Sequence, residues 1–208
     1  MSARCVGVLA LQGAFSAHAE TLAGLGVSCR EVRTPKDLSG VEAIVIPGGE
    51  SSTMSQLLES SGLLQPLSER LHAGMPALGT CAGMILLAAE IVDGRDDQVS
   101  LSVLDIVVRR NAYGRQVDSF EAGIDTVVGP FRGVFIRAPR IVSTGPGVEV
   151  LGRLGDEPVL VRGGNVLAAS FHPELSGDAR LHRLFLESAG LEGFAGEEAP
   201  VARLRGES

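Results

Sequence analysis

The chain has 208 residues, of which 45% are hydrophobic and 21% are charged, and its formal net charge is −7 at pH 7. This composition predicts a globular protein with one full core, and it disfavours non-specific binding to nucleic acid or acidic membranes, which requires basic patches. No segment approaches the roughly 20 apolar residues of a membrane span. The N-terminal residues favour a strand over a signal peptide. The three irregularly spaced cysteines favour a reducing cytoplasm over a disulfide framework or a metal cluster.

The N-terminal part of the chain alternates apolar runs with a helical pattern. The apolar run over residues 5–11 predicts a strand that is buried on both faces. Apolar residues then recur with helical spacing at Phe15, Ala19, Leu22 and Leu25. They predict a helix that stops at Gly26, and residues 27–32 predict a second strand.

Two further segments combine a strand, a glycine-rich turn and a helix. Residues 43–46 are apolar and precede the Pro-Gly-Gly turn 47–49. We expect one of the hydroxyl residues 51–53 to cap the helix that follows, since such side chains accept hydrogen bonds from free backbone N–H groups. Residues 75–91 repeat the order of strand, tight turn and helix.

The second half of the chain has a different pattern. Residues 95–165 are rich in Val, Gly, Pro and Arg with period-two patches, which predict short, partly antiparallel strands and a turn at residues 163–165. A final amphipathic helix is predicted over residues 178–191. Its apolar face consists of Leu181, Leu184, Phe185 and Ala189. Residues 192–208 turn to Gly, Glu, Ala and Arg, and we expect a flexible tail there.

The recurrence of strand, turn and helix predicts an α/β fold. We expect a three-layer, mostly parallel open sheet with helices on both faces and a small antiparallel element in the middle region, forming a single domain over residues 1–191. In such sheets the ligand site lies beyond the carboxyl ends of the strands. The glycine-rich turns 47–51 and 79–83 both follow predicted strands, so we expect them to border one crevice.

Cys81 is the strongest candidate for a catalytic nucleophile. It stands in Gly79-Thr80-Cys81-Ala82-Gly83, which has the G-x-nucleophile-x-G form of a strand–elbow–helix turn. Such an elbow lifts the nucleophile into the crevice, and the following helix N-terminus favours a thiolate. An ordinary structural turn is the alternative for this motif alone. Cys5 and Cys29 lie in strand patterns and are expected to be small buried hydrophobes.

His172 is the candidate base for this thiol. It follows the apolar run "VLAASF" and precedes Pro173, which favours an extended backbone at the strand end. Residues i and i+2 of an extended segment point to the same side, so Glu174 can orient the imidazole. The other histidines, at positions 18, 72 and 182, are expected to be ordinary surface or helix residues.

Acyl chemistry also requires donors for a developing oxyanion. The N–H of Ala82 is one candidate because this residue follows the nucleophile. The N–H of Gly49 in "PGGES" is the other, since a glycine lets the backbone approach a ligand closely. An ordinary helix-start turn is the alternative interpretation of "PGGES", and a G-x-G-x-x-G dinucleotide fingerprint is absent from the sequence.

Six segments in order resemble one known family. They are "LALQGAFSAH", "PGGESSTM", "GTCAGMILLA", "VVRRNAYGRQVDSFEA", "GVFIRAP" and "SFHPEL". Together they closely resemble the glutaminase subunits of pyridoxal 5′-phosphate synthases, a class I glutamine amidotransferase family, over about residues 5–190. The elbow and "HPE" would indicate only a class I amidotransferase, whereas "LALQG", "PGGESST" and "RNAYGRQVDSFEA" narrow the resemblance to these subunits.

The resemblance implies a role for each matching residue. Cys81 would attack the side-chain amide of glutamine, His172 would shuttle protons, and Glu174 would orient His172, through a glutamyl thioester that water hydrolyses. Gln12 would lie near a partner interface and help to couple two subunits. The implied glutamine-contacting residues are Gly49, Glu50, Ser51, Arg110, Ile136 and Arg137.

The resemblance also implies a partner. Ammonia would pass to a separate (β/α)8 subunit that builds pyridoxal 5′-phosphate from a pentose phosphate and a triose phosphate, and the glutaminase chain itself would need no cofactor or metal. The departures from the family pattern are small: Ala112 and Tyr113 replace residues that are often Ser and Phe, and Arg109 stands where an acidic residue is common. None of them removes a residue of the Cys-His-Glu set.

Three other functions remain open from the sequence. The chain could be the glutaminase subunit of another amidotransferase, although "LQG" and "VDSFEA" weigh against it. A non-catalytic regulatory module on the same fold predicts a broken triad, whereas all three residues are present. A cysteine peptidase on a related elbow scaffold would need no partner for activity.

Overall fold

Five parallel strands form one side of the main sheet in the computed structural model, which describes residues 5–95, 97–110, 112 and 119–191. These strands are β1 (Cys5–Leu9), β2 (Ser28–Val32), β3 (Ala43–Ile46), β4 (Ala77–Thr80) and β12 (Val166–Ala169). They lie in the order β2-β1-β3-β4-β12. Every residue of β1, β3, β4 and β12 is buried, which explains their continuous apolar runs, whereas the edge strand β2 has exposed residues.

Antiparallel strands extend this sheet beyond β12. They are β11 (Glu157–Gly163), β10 (Val148–Leu154), β7 (Ser119–Thr126) and β8 (Phe131–Ile136), in that order. A second sheet contains β5 (Ala88–Ile91), β6 (Leu104–Arg109) and β9 (Arg140–Thr144). The α/β fold class is confirmed, and the antiparallel part contains more strands than the period-two patches alone delimit. The predicted turn at residues 163–165 joins β11 to β12.

Helices cover both faces of the main sheet. They are α1 (Phe15–Gly24), α2 (Ser51–Ser60), α3 (Leu64–His72), α4 (Ala82–Leu87) and α5 (Arg180–Ser188), with short 3-10 helices at Pro35–Leu38 and Pro173–Leu175. Two buried apolar clusters separate the three layers. In β3, Ile44 and Ile46 belong to the cluster under α2, α3 and α4, whereas Ala43 and Val45 belong to the cluster under α1 and α5. The strand period of two places alternate side chains in opposite clusters.

Two local expectations have clear outcomes. The first helix stops before Gly26, as predicted: α1 ends at Gly24, and Gly26 has φ +78°. The predicted cap of α2 among residues 51–53 is wrong. Glu50 is the N-cap, because its carboxylate accepts hydrogen bonds from the N–H groups of Ser52 and Thr53.

The predicted tail, residues 192–208, lies outside the described residues, as does Tyr113. No helix among the described residues is long and apolar enough to cross a membrane.

The parallel strands bring the predicted motifs to one edge of the sheet. Ile46 of β3 lies beside Gly79 of β4, and Thr80 of β4 lies beside Ala169 of β12. The three turns that leave these carboxyl ends therefore start side by side. They carry the "PGGES" segment, the cysteine elbow and the "HPE" segment.

Candidate active site

Cys81 sits on a strained elbow between β4 and α4. Its φ of 50° is in the left-handed region, which is uncommon for a residue with a Cβ and is typical of nucleophile elbows. The backbone N–H of Cys81 donates to the carbonyl of Ala169 at 2.8 Å, which holds the elbow against β12. A Cβ at Gly83 would overlap the carbonyl oxygen of Ile46, so α4 can start this close to β3 only with glycine there.

His172 and Glu174 form a buried pair beside the elbow. Nδ1 of His172 lies 2.8 Å from Oε1 of Glu174, and both residues are less than a tenth exposed. The backbone N–H of His172 donates to the carbonyl of Val134 at 2.8 Å, which ties the segment to β8. A Cβ at Gly48 would overlap Cε1 of the His172 ring, so this glycine lets the "PGGES" turn pack against the imidazole.

The charges of the three side chains are coupled. Burial lowers the pKa of His172, but the interactions of the imidazole with Cys81 and Glu174 outweigh this effect and raise it to about 10. Burial raises the pKa of Glu174, but the hydrogen bond from His172 and the charge of that imidazolium lower it overall. The imidazole is therefore protonated and the carboxylate ionised near neutral pH. The structure thus brings together Cys81, His172 and Glu174 as the sequence predicts.

A pocket of about 130 Å³ opens in front of the thiol and the imidazole. All six residues that the resemblance implies for glutamine contact line it together with Cys81, His172 and Ile85: Gly49, Glu50, Ser51, Arg110, Ile136 and Arg137. The thiol of Cys81 lies 3.6 Å from the carbonyl oxygen of Ile136. Arg137 has φ +43° and is exposed at the pocket rim. The oxyanion role of Gly49 and Ala82 stays a prediction; Ala82 is the first residue of α4.

One wall of this pocket is an ion pair supported by Gln98. An Nη atom of Arg110 lies 3.2 Å from the Glu50 carboxylate, and the other Nη donates to Oε1 of Gln98 at 3.2 Å. Gln98 also bonds the hydroxyl groups of Ser51, Ser52 and Ser55. Burial raises the pKa of Glu50, but hydrogen bonds from Thr53 and Ser52 and the charge of Arg110 lower it overall. Sequence reasoning missed Gln98, because it belongs to no motif.

Gln12 contacts the "PGGES" turn from the segment between β1 and α1. Its Oε1 accepts a hydrogen bond from the N–H of Glu50 at 3.1 Å, and it lies close to Gly49. The sequence interpretation of Gln12 as an interface residue did not include this contact. The side chain is half-buried. A change at Gln12 can therefore reach the backbone that lines the pocket.

Two histidines are more deeply buried than the sequence interpretation expected. His18 and His182 lie in helices α1 and α5, as their sequence patterns predict, but both are completely buried and neither is a surface residue, whereas His72 is exposed. Nε2 of His18 lies 3.2 Å from Oε2 of Glu174. A signal was present in the sequence: His18 lies three residues after Phe15 and one before Ala19, on the apolar face of α1.

No cofactor cradle was predicted, and the described residues contain no group of three or more His, Cys, Asp or Glu side chains that could hold a metal ion. The arrangement consists instead of a thiol on an elbow, a buried base with its carboxylate, and a small polar pocket. Such an arrangement can carry out nucleophilic acyl transfer.

Comparison with known proteins gives close matches over most of the chain. The pyridoxal 5′-phosphate synthase subunit PdxT of Thermus thermophilus is 57% identical over 188 residues, which cover 89% of this chain and 98% of that protein. The PdxT subunit of Mycolicibacterium vanbaalenii is 55% identical over 194 residues, covering 90% of this chain and 99% of that protein. A crystal structure of a glutamine amidotransferase has a TM-score of 0.85 and 53% identity, and the match covers 89% of this chain and 98% of that chain.

A family model matches most of the chain as well. The match runs over residues 8–190 and spans the elbow, the "PGGES" turn and the "HPE" segment. Close relatives and the family model thus agree with one another and with the site geometry. The chain belongs to the SNO glutamine amidotransferase family.

Proposed function

We propose that this chain is the glutaminase subunit of a pyridoxal 5′-phosphate synthase, hydrolysing L-glutamine to glutamate and ammonia. Relatives named as PdxT subunits of that synthase are 55–57% identical over nearly the whole chain, which supports this function over other amidotransferases. The observation that carries the proposal is the pocket, since all implied glutamine-contacting residues line it with the thiol and the imidazole. A regulatory module would not need this complete set.

In the first half of the reaction, Sγ of Cys81 attacks the side-chain amide carbon of glutamine. The C–N bond then breaks and the nitrogen leaves as ammonia, taking the proton that His172 holds. A glutamyl thioester remains on Cys81. The raised pKa of His172 supports this step, because it keeps the proton on the imidazole at neutral pH until the leaving nitrogen needs it.

In the second half, water hydrolyses the thioester. His172, now neutral, takes a proton from water as the oxygen attacks the thioester carbon. The C–S bond breaks, glutamate leaves, and the proton on His172 again faces the thiolate. Glu174 keeps Nδ1 of the imidazole oriented throughout, which the 2.8 Å contact supports. Gly49 and Ala82 are the proposed donors to the oxyanion in both halves.

Substrate binding would use the charged groups of the pocket. Arg137 at the rim is the proposed partner of the glutamine α-carboxylate, because a guanidinium forms charge-assisted hydrogen bonds with carboxylates. Arg110 already pairs with Glu50, so these two residues would shape the wall beside Ser51. The small volume of about 130 Å³ suits a single amino acid better than a peptide.

The proposed partner is a (β/α)8 synthase subunit that receives the ammonia, with Gln12 near the contact between the subunits. The hydrogen bond from Glu50 to Gln12 supports a link from that contact to the pocket. We assign residues 1–191 to one glutaminase domain and place the protein in the cytoplasm. Three free cysteines are consistent with a reducing compartment.

The test measures glutamate released from glutamine by the purified chain, with and without the cognate synthase subunit. We expect low activity alone and a clear rise in the complex. Cys81→Ala should abolish the activity while the complex still forms on gel filtration. Cys29→Ala is the matched control, since Cys29 lies in β2 away from the pocket, and it should keep wild-type turnover. Unchanged turnover in Cys81→Ala would refute the nucleophile, and peptide hydrolysis without the partner would favour a peptidase.

A further inference from the structure

A second pair of histidines lies directly behind the proposed triad. His18 of α1 and His182 of α5 are fully buried, and Nδ1 of His18 lies 2.9 Å from Nε2 of His182. On its other side, Nε2 of His18 lies 3.2 Å from Oε2 of Glu174 and 3.2 Å from the hydroxyl of Thr80. One imidazole therefore contacts the proposed orienting carboxylate and the residue before the elbow.

The second oxygen of Glu174 needs a donor. Its Oε1 faces His172, but Oε2 is buried and has no hydrogen-bond partner of good geometry among the described residues. A buried carboxylate oxygen without a donor is costly and would favour protonation of the acid. Nε2 of His18, at 3.2 Å, is placed to supply the donor after a small rotation of either side chain.

The contacts also decide which nitrogens of the neutral rings carry protons. If Nδ1 of His18 carried the proton, its unprotonated Nε2 could accept a hydrogen bond from the Thr80 hydroxyl, but it would also face Oε2 of Glu174, a second acceptor, at 3.2 Å. Nδ1 of His182 would then be a buried donor without a partner in the part of the chain that the structure describes. If Nε2 of each ring carries the proton, His182 donates to His18, and Nε2 of His18 faces both Oε2 of Glu174 and the Thr80 hydroxyl as a donor. Nδ1 of His182 is then unprotonated and has no hydrogen-bond partner among the described residues.

We propose that His18 is a positioning residue of the glutaminase, donating from Nε2 to Oε2 of Glu174 while His182 donates to Nδ1 of His18. The relay keeps Glu174 ionised and fixed, and so keeps Nδ1 of His172 bonded to it. The burial that lowers the pKa of His18 and His182 keeps both rings neutral near pH 7, as this arrangement requires. The inference deepens the proposed function and rests on it for its kinetic test.

Two amide substitutions at His18 distinguish the loss of the hydrogen-bond donor from the loss of the imidazole ring. His18→Gln can place an NH2 group where Nε2 stood, whereas the shorter His18→Asn reaches only the position of Nδ1. In the complex with the synthase subunit, we expect His18→Asn to lower kcat about tenfold with little change in KM. A tenfold loss is about what one lost hydrogen bond to a charged group costs. His18→Gln should recover most of this loss. His72→Asn, at an exposed position of α3, is the matched control.

The pH profile distinguishes positioning from a general loss of stability. The ionisable groups that face Glu174 are His172 and His18, and His182 faces His18 from α5. Without the donor, the carboxylate should take up a proton more easily, so the acid limb of kcat/KM should move to higher pH in His18→Asn and not in His18→Gln. Equal kcat and equal profiles in wild type and His18→Asn would overturn the inference while leaving the glutaminase function intact.

A measurement on the unmodified protein needs neither activity nor a variant that folds. Nitrogen-15 spectra of labelled histidine side chains report which ring nitrogen carries the proton. We expect both His18 and His182 to be neutral with the proton on Nε2. A proton on Nδ1 of His18 would overturn the inference whether or not the wild-type chain hydrolyses glutamine. Absence of glutaminase activity from the wild-type complex would instead refute the proposed function.

Discussion

Replacing His182 with glutamine should make the protein markedly less sensitive to mild acid. Burial, together with the charge of His18, lowers the pKa of His182 to about 3 in the folded chain, from a reference value of 6.5. The unfolded chain therefore takes up a proton below pH 6.5 that the folded chain refuses until about pH 3. The stability that neutral His182 contributes is fully present above pH 6.5 and is lost as the pH falls toward 3.

The size of this effect follows from the two pKa values of His182. Between pH 7 and pH 5, proton uptake by the unfolded histidine lowers the free energy of unfolding by about 2 kcal/mol. Glutamine cannot take up this proton, yet its amide can still donate to Nδ1 of His18. The loss of stability between these pH values should therefore be about 2 kcal/mol smaller in His182→Gln than in wild type.

The assay is urea unfolding of the isolated chain, followed by circular dichroism at pH 7 and pH 5. His72→Gln is the control because that histidine is exposed, and it should lose as much stability on acidification as wild type does. The carboxylates and His18 are present in all three proteins, so the difference between proteins reports the proton of His182 together with its coupling to His18. The same loss in wild type and in His182→Gln would refute the reasoning that a neutral His182 is buried behind the site.

Three further predictions concern the pocket and use the complex with the synthase subunit. Gly48→Ala should lower kcat roughly 100-fold, because the added methyl group displaces the His172 ring, and a displacement of about 1 Å has that cost. Gln98→Ala should raise KM for glutamine several-fold, about 3- to 10-fold, since Arg110 loses a hydrogen bond and leaves its place in the wall. kcat/KM should fall as the pH rises toward about 10, where His172 loses the proton that ammonia requires.

Each of these measurements has a control or a contrary outcome. Gly24→Ala adds a methyl group at the end of α1 with no atom within 4 Å of it and should leave kcat unchanged. Gln65→Ala, on the exposed face of α3, should leave KM unchanged. Wild-type kinetics in Gly48→Ala would contradict the packing of the turn against the imidazole. A pH profile that stays flat through pH 10 would contradict the role of His172 as proton donor.

The sequence alone was sufficient for the buried strands and for two local parts of the proposed site. Continuous apolar runs predicted the buried parallel strands, because both faces of those strands are covered by helices. The elbow around Cys81 and the i, i+2 relation of His172 and Glu174 were readable because their geometry is local. Their meeting at one edge followed from the parallel arrangement of strands.

Only the tertiary structure decided the contacts between distant segments. His18 and His182 are 164 residues apart, and Gln98 reaches Arg110 and α2 from a connection with no motif. Glu50 caps α2 because its carboxylate can bind two free N–H groups and Arg110 at once. Local patterns state which side chains are apolar or reactive. Which buried polar groups satisfy one another depends on how the helices and the sheet pack, and that is settled only in three dimensions.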